Sequence, residues 1–132
     1  MTTPEIKTVL LAGGSGLIGT RLTEHLESKN YRVLNFTRKG ADPTKGLYHW
    51  DPEKKVIDEA AIKQADILIN LAGTSIADGR WTARQKRKIV NSRIFATELL
   101  TQTLLTTPNK ITTVINASAI GIYGHTDNRI IR

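Results

Sequence analysis

A short apolar run that stops on glycines and restarts as a helix limits this chain more than any other feature. Thr8-Val9-Leu10-Leu11-Ala12 carries no charge, Gly13-Gly14-Ser15-Gly16-Leu17-Ile18-Gly19 follows at once, and a helical pattern with Leu17, Ile18, Leu22 and Leu26 comes next. The order is strand, tight turn, helix. The glycines satisfy both a G-x-x-G-x-x-G and a G-x-G-x-x-G spacing. Glycine there lets the backbone turn sharply and approach a pyrophosphate, while Gly19 lets the helix pack closely on the strand. The amides that open the helix then supply partial positive charge for the anion. Glycine patterns also mark purely structural turns; a strand before and a helix after give this one the context of a dinucleotide site.

The same alternation continues. Tyr31 to Phe36 is a second β-rich run, Leu47 to Trp50 a short third, and Ile67-Leu68-Ile69-Asn70-Leu71 a continuous apolar strand of the kind buried on both faces. Ile57 to Gln64 reads as a short helix between them. Thr82-Ala83-Arg84-Gln85 has capping-box form and opens a helix to about Leu105, which Pro108 and Asn109 end. A last strand, Thr112 to Ala117, enters a turn at Gly121 and Gly124. Strands that alternate with helices specify an α/β fold, a Rossmann-like doubly wound parallel sheet of about five strands. Residues 1–132 are expected to form one NAD(P)-binding domain. Lys39 to Gly46 and Gly73 to Gly79 are linker candidates.

Composition excludes more than it selects. No cysteine is present, so a disulfide framework and thiolate metal or redox chemistry are out. No stretch reaches the roughly 18 apolar residues of a membrane span, and no signal or transit peptide is suggested, so a cytoplasmic protein is expected. The net charge of +7 can mark a nucleic-acid surface, but Arg84, Lys86, Arg87, Lys88 and Arg93 stand beside no RNA-binding aromatic motif or helix-turn-helix spacing. We read them as a helix face that is solvated or meets an anionic cofactor, with neither nucleic acid nor membrane as partner. His25, His49 and His125 lack metal-like spacing, so no metal site is expected.

The second strand ends in Thr37-Arg38-Lys39, where an NAD-specific fold usually puts an acid for the ribose hydroxyl. A carboxylate would repel a 2′-phosphate, whereas a guanidinium grips one in bidentate fashion. Arg38, with Thr37 as a hydroxyl donor, therefore points to NADP(H) over NAD(H). The alternative is a solvated loop arginine. Helix geometry singles out Arg93, which shares a face with Ile89, Ala96, Leu100 and Leu104. A guanidinium buried there needs an anion; the cofactor's phosphates are one partner, and an internal carboxylate or a snorkelling side chain are the alternatives.

With these residues placed, the chain resembles the short-chain dehydrogenase/reductase superfamily, extended type, and within it the atypical epimerase-family proteins often labelled nucleoside-diphosphate-sugar epimerases. The likeness rests on the glycine turn, Thr37-Arg38, Asn70-Leu71-Ala72-Gly73, Ser75-Ile76-Ala77, Arg80-Trp81-Thr82, Asn91-Ser92-Arg93 and Ser118-Ala119-Ile120-Gly121-Ile122-Tyr123-Gly124. The resemblance implies an NADP(H) site with Leu71, Ala72 and Gly73 along the cofactor, Asp66 near the adenine, and Arg93 toward the cofactor. It also implies a protein about twice this length, whose later part closes over the substrate, so this chain is expected to be catalytically incomplete. Extended members carry a Tyr-x-x-x-Lys pair for acid/base work; Tyr123 is followed by Gly124, His125, Thr126 and Asp127 instead.

The remaining candidates sit at the last strand's C-terminal end, where open α/β sheets bind ligands. Ser118 is the candidate for holding a substrate oxygen, with Ala119 as the competing alignment, and Tyr123 is the second catalytic candidate. Trp50 and Trp81 either flank a pocket or pack in the core. Two functions stay open: an enzyme of hydride transfer or sugar-nucleotide epimerisation on an unknown small-molecule substrate, and a non-catalytic NADP(H)-sensing or structural module. An apolar last strand with an open edge predicts a homo-oligomer.

Overall fold

The computed structural model describes residues 5–73 and 82–117. Ser118, Tyr123 and Trp81, together with the Ser75-Ile76-Ala77 motif, lie outside them. Five strands run parallel: β1 (Thr8–Ala12), β2 (Arg32–Thr37), β3 (Leu47–Asp51), β5 (Ile67–Asn70) and β6 (Thr113–Asn116). A sixth, β4 (Val56–Ile57), pairs antiparallel with β3 and gives the order β4-β3-β2-β1-β5-β6. The chain direction across the sheet reverses between β1 and β5, which is where such sheets bind ligands, beyond the carboxyl ends of their strands.

The centre of the sheet is covered on both faces, as its continuous apolar strands require. Side chains alternate along β1: Leu10 and Ala12 join a core with Phe36, Trp50, Ala61, Ile62, Ala96 and Leu100, while Val9 and Leu11 join another with Leu22, Leu26 and Val33. Helix α1 (Leu17–Ser28) therefore covers one face. Helices α2 (Glu59–Gln64) and α3 (Ala83–Thr106) cover the other. Trp50 is 4% exposed and stacks on Phe36 with ring centroids 5.1 Å apart, so core packing is its main role. The four residues of β6 are all exposed, Val114 at 53% and Ile115 at 52%.

Several expectations need correction. The five parallel strands stand as expected, and among the described residues Val56 and Ile57 add a short antiparallel sixth by pairing with Asp51 and Trp50 before the helix starts. Helix α2 begins two residues later than read, behind Asp58, whose carboxylate accepts from the Ala60 amide at 3.0 Å. The inward line of α3 runs through Ser92, Ala96, Leu100 and Thr103, so Arg93 falls one step off it and is exposed. A small serine, Ser92, takes a buried position on this helix in place of an apolar residue, and this misled the periodic reading.

Asp66 is likewise not near an adenine pocket. It precedes β5 and so lies at the opposite edge of the sheet from the glycine turn. There its carboxylate accepts from the Thr8 amide at 2.8 Å and lies 3.6 Å from the Lys110 ammonium. The Thr8 amide above all, against the opposing effect of burial and with help from Lys110 and Lys7, holds its pKa below the usual 3.8. Ionised Asp66 thus favours the folded chain above about pH 3.8, and that contribution is lost as pH falls through the lowered value. Asp66→Ala should cost about 1–3 kcal/mol at neutral pH. The melting-temperature gap from the parent should narrow below about pH 4; a gap unchanged from pH 7 to pH 3 would show that the carboxylate does not fasten β5 to β1.

Candidate functional site

Three loops meet beyond the carboxyl ends of β1, β2 and β5. Gly13 has a left-handed backbone, φ +84°, and a Cβ there would come within 2.7 Å of Leu71 C and Ala72 N. The first glycine is thus what lets the turn lie directly on the chain leaving β5. Leu71 N donates to Ala12 O at 2.7 Å and Ala72 N to Asn70 Oδ1 at 3.1 Å, which fixes that chain. Asn70 is itself held by Asn116, whose Oδ1 accepts from Asn70 Nδ2 at 2.7 Å.

The four glycines of the turn divide by cause. A Cβ on Gly19 would meet Gly14 Cα at 2.5 Å and Gly13 O at 2.7 Å, so this glycine lets α1 pack on the turn itself, not on the strand as expected. Gly14 is buried and a Cβ on it would run into the Asn35 carboxamide. Gly16 differs: the nearest atom to its Cβ position is Gly13 O at 3.8 Å, ordinary van der Waals distance. Nothing inside the described residues requires glycine there.

Gly16 is also the N-cap of α1, and that helix end is bare. Among the described residues it has no side-chain cap, and its first turn has no acidic residue, whereas Asp58 caps α2 and Thr82 caps α3, accepting from Gln85 N at 3.1 Å. Unused amides and the positive end of the helix dipole favour an anion at this place. Leu17 and Ile18, expected on the apolar face of α1, are 81% and 70% exposed beside it. Ser15 is exposed too.

An open cleft of about 480 Å³ is lined by Gly13, Ser15, Phe36, Thr37, Arg38, Lys39, Trp50, Ala72 and Gly73. Arg38 on this lining is exposed. Thr37 Oγ1 donates to Lys39 O at 2.6 Å, so the hydroxyl shapes the Arg38–Lys39 corner and has already spent its proton. Gly73 leaves room for Arg93: a Cβ would come 3.0 Å from Arg93 Cζ, and Arg93 Nη1 donates to Ile89 O at 3.1 Å. Arg93 therefore packs beside Gly73, a residue of the cleft lining, from the surface and not from the core. A larger open groove of about 720 Å³, with Arg32, Lys63 and Lys110, lies at the opposite edge of the sheet, the wrong side for the ligand of a parallel sheet. The described residues contain no group of three or more metal ligands.

Residues 9–131 match the model of the NAD dependent epimerase/dehydratase family. The chain belongs to that family. It is 38% identical over 123 residues to the epimerase family protein Mb2239 of Mycobacterium bovis, covering 93% of this chain and 40% of that protein. Among solved structures, the human epimerase family protein SDR39U1 (isoform 2) with NADPH matches with a TM-score of 0.76 at 27% identity, over 90% of this chain and 39% of that one. The nucleoside-diphosphate sugar epimerase from Corynebacterium glutamicum matches at 0.75 and 31%, over 96% of this chain and 26% of that one. The chain thus spans about 40% of the length of the curated relative it matches.

As an epimerase-family domain, the chain carries a Rossmann-like NAD(P)-binding fold, and the structure brings the glycine turn, Thr37, Arg38, Leu71, Ala72, Gly73 and Arg93 around one edge. Sequence reading gave no site role to Asn35, Asn116, Asn70 or Lys39; Lys39 carried a signal in its charge at the end of β2 and Asn70 in its place in the Asn70-Leu71-Ala72-Gly73 motif. The glycine contacts separate folding from binding. Gly13→Ala should cost about 2–4 kcal/mol, from left-handed strain and the collision with the Leu71–Ala72 backbone. Gly16→Ala should stay within about 1 kcal/mol of the parent and still lose its dinucleotide. Chemical denaturation with a fluorescence titration checks both; a Gly16→Ala protein that unfolds as readily as Gly13→Ala would assign Gly16 to the fold.

Proposed function

We propose that this chain is the NADP(H)-binding part of an epimerase-like or reductase-like protein, with the pyrophosphate over Gly16 and the α1 amides and the 2′-phosphate beside Arg38. The observation that carries the reading is the uncapped end of α1 with open space above Gly16. A cap and a side chain there would stabilise the helix, and their absence suits an anionic ligand. Arg38 supports the choice of NADP(H): it is exposed at the cleft with Lys39 beside it, and the sequence puts no acid at that corner. A human relative at 27% identity was solved with NADPH. When bound, the dinucleotide supplies a hydride donor or acceptor at its nicotinamide. Ser15, Leu17 and Ile18, exposed around the start of α1, and Arg93, which lies beside Gly73, are the further residues we assign to it.

By calorimetry the chain should bind NADPH more tightly than NADH, and Arg38→Asp should erase or reverse that order, since a carboxylate repels the 2′-phosphate. Equal affinities in the parent chain would remove Arg38 from the argument.

The second reading is a binding module without turnover, against an enzymatic one in which Ser118 and Tyr123 are the catalytic candidates. The 132-residue chain should therefore bind cofactor and turn over no carbonyl or sugar-nucleotide substrate. Substrate-dependent NADPH oxidation that disappears in Gly16→Ala would establish the enzymatic reading instead.

A further inference from the structure

Asn35 occupies a place where the fold calls for an apolar residue. On β2 the side chains of Val33, Asn35 and Thr37 share the α1 face, opposite Leu34 and Phe36, and Asn35 lies in register with Leu11 of β1. Val33 and Leu11 both belong to the core under α1. Asn35 instead brings a carboxamide whose Oδ1 is sealed from solvent and has no hydrogen-bond partner among the described residues. The main chain accounts for nothing here, since Asn35 N already donates to Gly46 O at 2.8 Å. An orphaned buried oxygen weakens a fold, and an apolar group of similar shape would remove the penalty.

The orphan is seated against the dinucleotide turn. Gly14 is buried directly over it, and a Cβ on Gly14 would overlap Oδ1, so glycine at 14 and asparagine at 35 are a matched pair. The turn above has slack: its own closing bond, Gly16 N to Gly13 O, is 3.5 Å long, at the limit for a hydrogen bond. A strong acceptor without a donor therefore lies under a turn whose amides are not fully used.

We propose that Asn35 is a positioning residue for the glycine turn, its Oδ1 held in reserve for a turn amide that closes onto it when the pyrophosphate is taken up. The inference rests on the dinucleotide reading above. Asn35 does not touch the ligand in this account; it acts through Gly14 and fixes where the turn presents its amides. The cost of the orphan in the free chain is recovered in the bound one, so asparagine trades stability for affinity.

The test compares two probes on the parent chain and on Asn35→Val: NADPH, and adenosine 2′-monophosphate, which carries the 2′-phosphate for Arg38 but no pyrophosphate. Asn35→Val should melt at the parent temperature or a few degrees (~2–5 °C) above it, bind NADPH about tenfold more weakly and bind adenosine 2′-monophosphate within about twofold of the parent. Asn35→Ala, smaller at every position, carries the same comparison should the valine variant not fold. Unchanged NADPH affinity would make Asn35 a tolerated orphan, and parallel loss of both probes with a lower melting temperature would make it a structural residue; either result overturns the proposal. A parent chain that binds neither probe would instead overturn the dinucleotide reading itself.

Discussion

The close seating of Gly13 on the backbone of Leu71 and Ala72 is the contact on which the rest of this structure depends. It needs a left-handed residue without a Cβ, and it ties the end of β1 to the end of β5 at the point where the sheet changes direction. Once that contact is made, the turn cannot rise away from the sheet. Gly19 then lets α1 settle on the turn, and α1 covers the Val9–Leu11 face. Packing and site geometry are in this way one problem: the glycines that fold the turn also leave Gly16 facing outward with nothing against it.

The two edges of the sheet are built on different electrostatics. At the amino ends the Asp66 carboxylate is satisfied within the protein by the Thr8 amide and by Lys110, and its lowered pKa records that satisfaction. At the carboxyl ends the balance is reversed. The helix end is uncapped, Arg38 and Lys39 project at the cleft, and Asn35 keeps an acceptor without a donor. Satisfied groups at one edge and unsatisfied ones at the other are what a stable scaffold with a ligand-binding rim requires.

What the sequence made legible was what is local. The strand from Thr8 to Ala12, the turn, the strand ending at Thr37 and the cap at Thr82 each announce themselves within a few residues, and each stands where it was read. The two-residue strand at Val56 and Ile57 has too little pattern to be seen. Arg93 was assigned to the core because apolar neighbours at helical spacing surround it, yet the helix turns its serine inward and leaves the arginine at the rim. Asp66 was placed by family likeness, although its position just ahead of a strand puts it at the far edge. The pairs Asn35 with Gly14 and Asn70 with Asn116 join residues distant in the chain, and single residues of that kind leave no periodic trace.

The central claim is that a dinucleotide is held at the carboxyl edge by the glycine turn. The most direct measurement is a map of backbone amide shifts in the nitrogen-15-labelled chain as NADPH is added. The account predicts that Gly13 to Gly19, Thr37 to Lys39 and Leu71 to Gly73 move together and saturate together, while Thr8, Asp66 and Lys110 stay still. Shifts centred on Arg32, Lys63 and Lys110 at the opposite edge, or none at saturating NADPH, would contradict it.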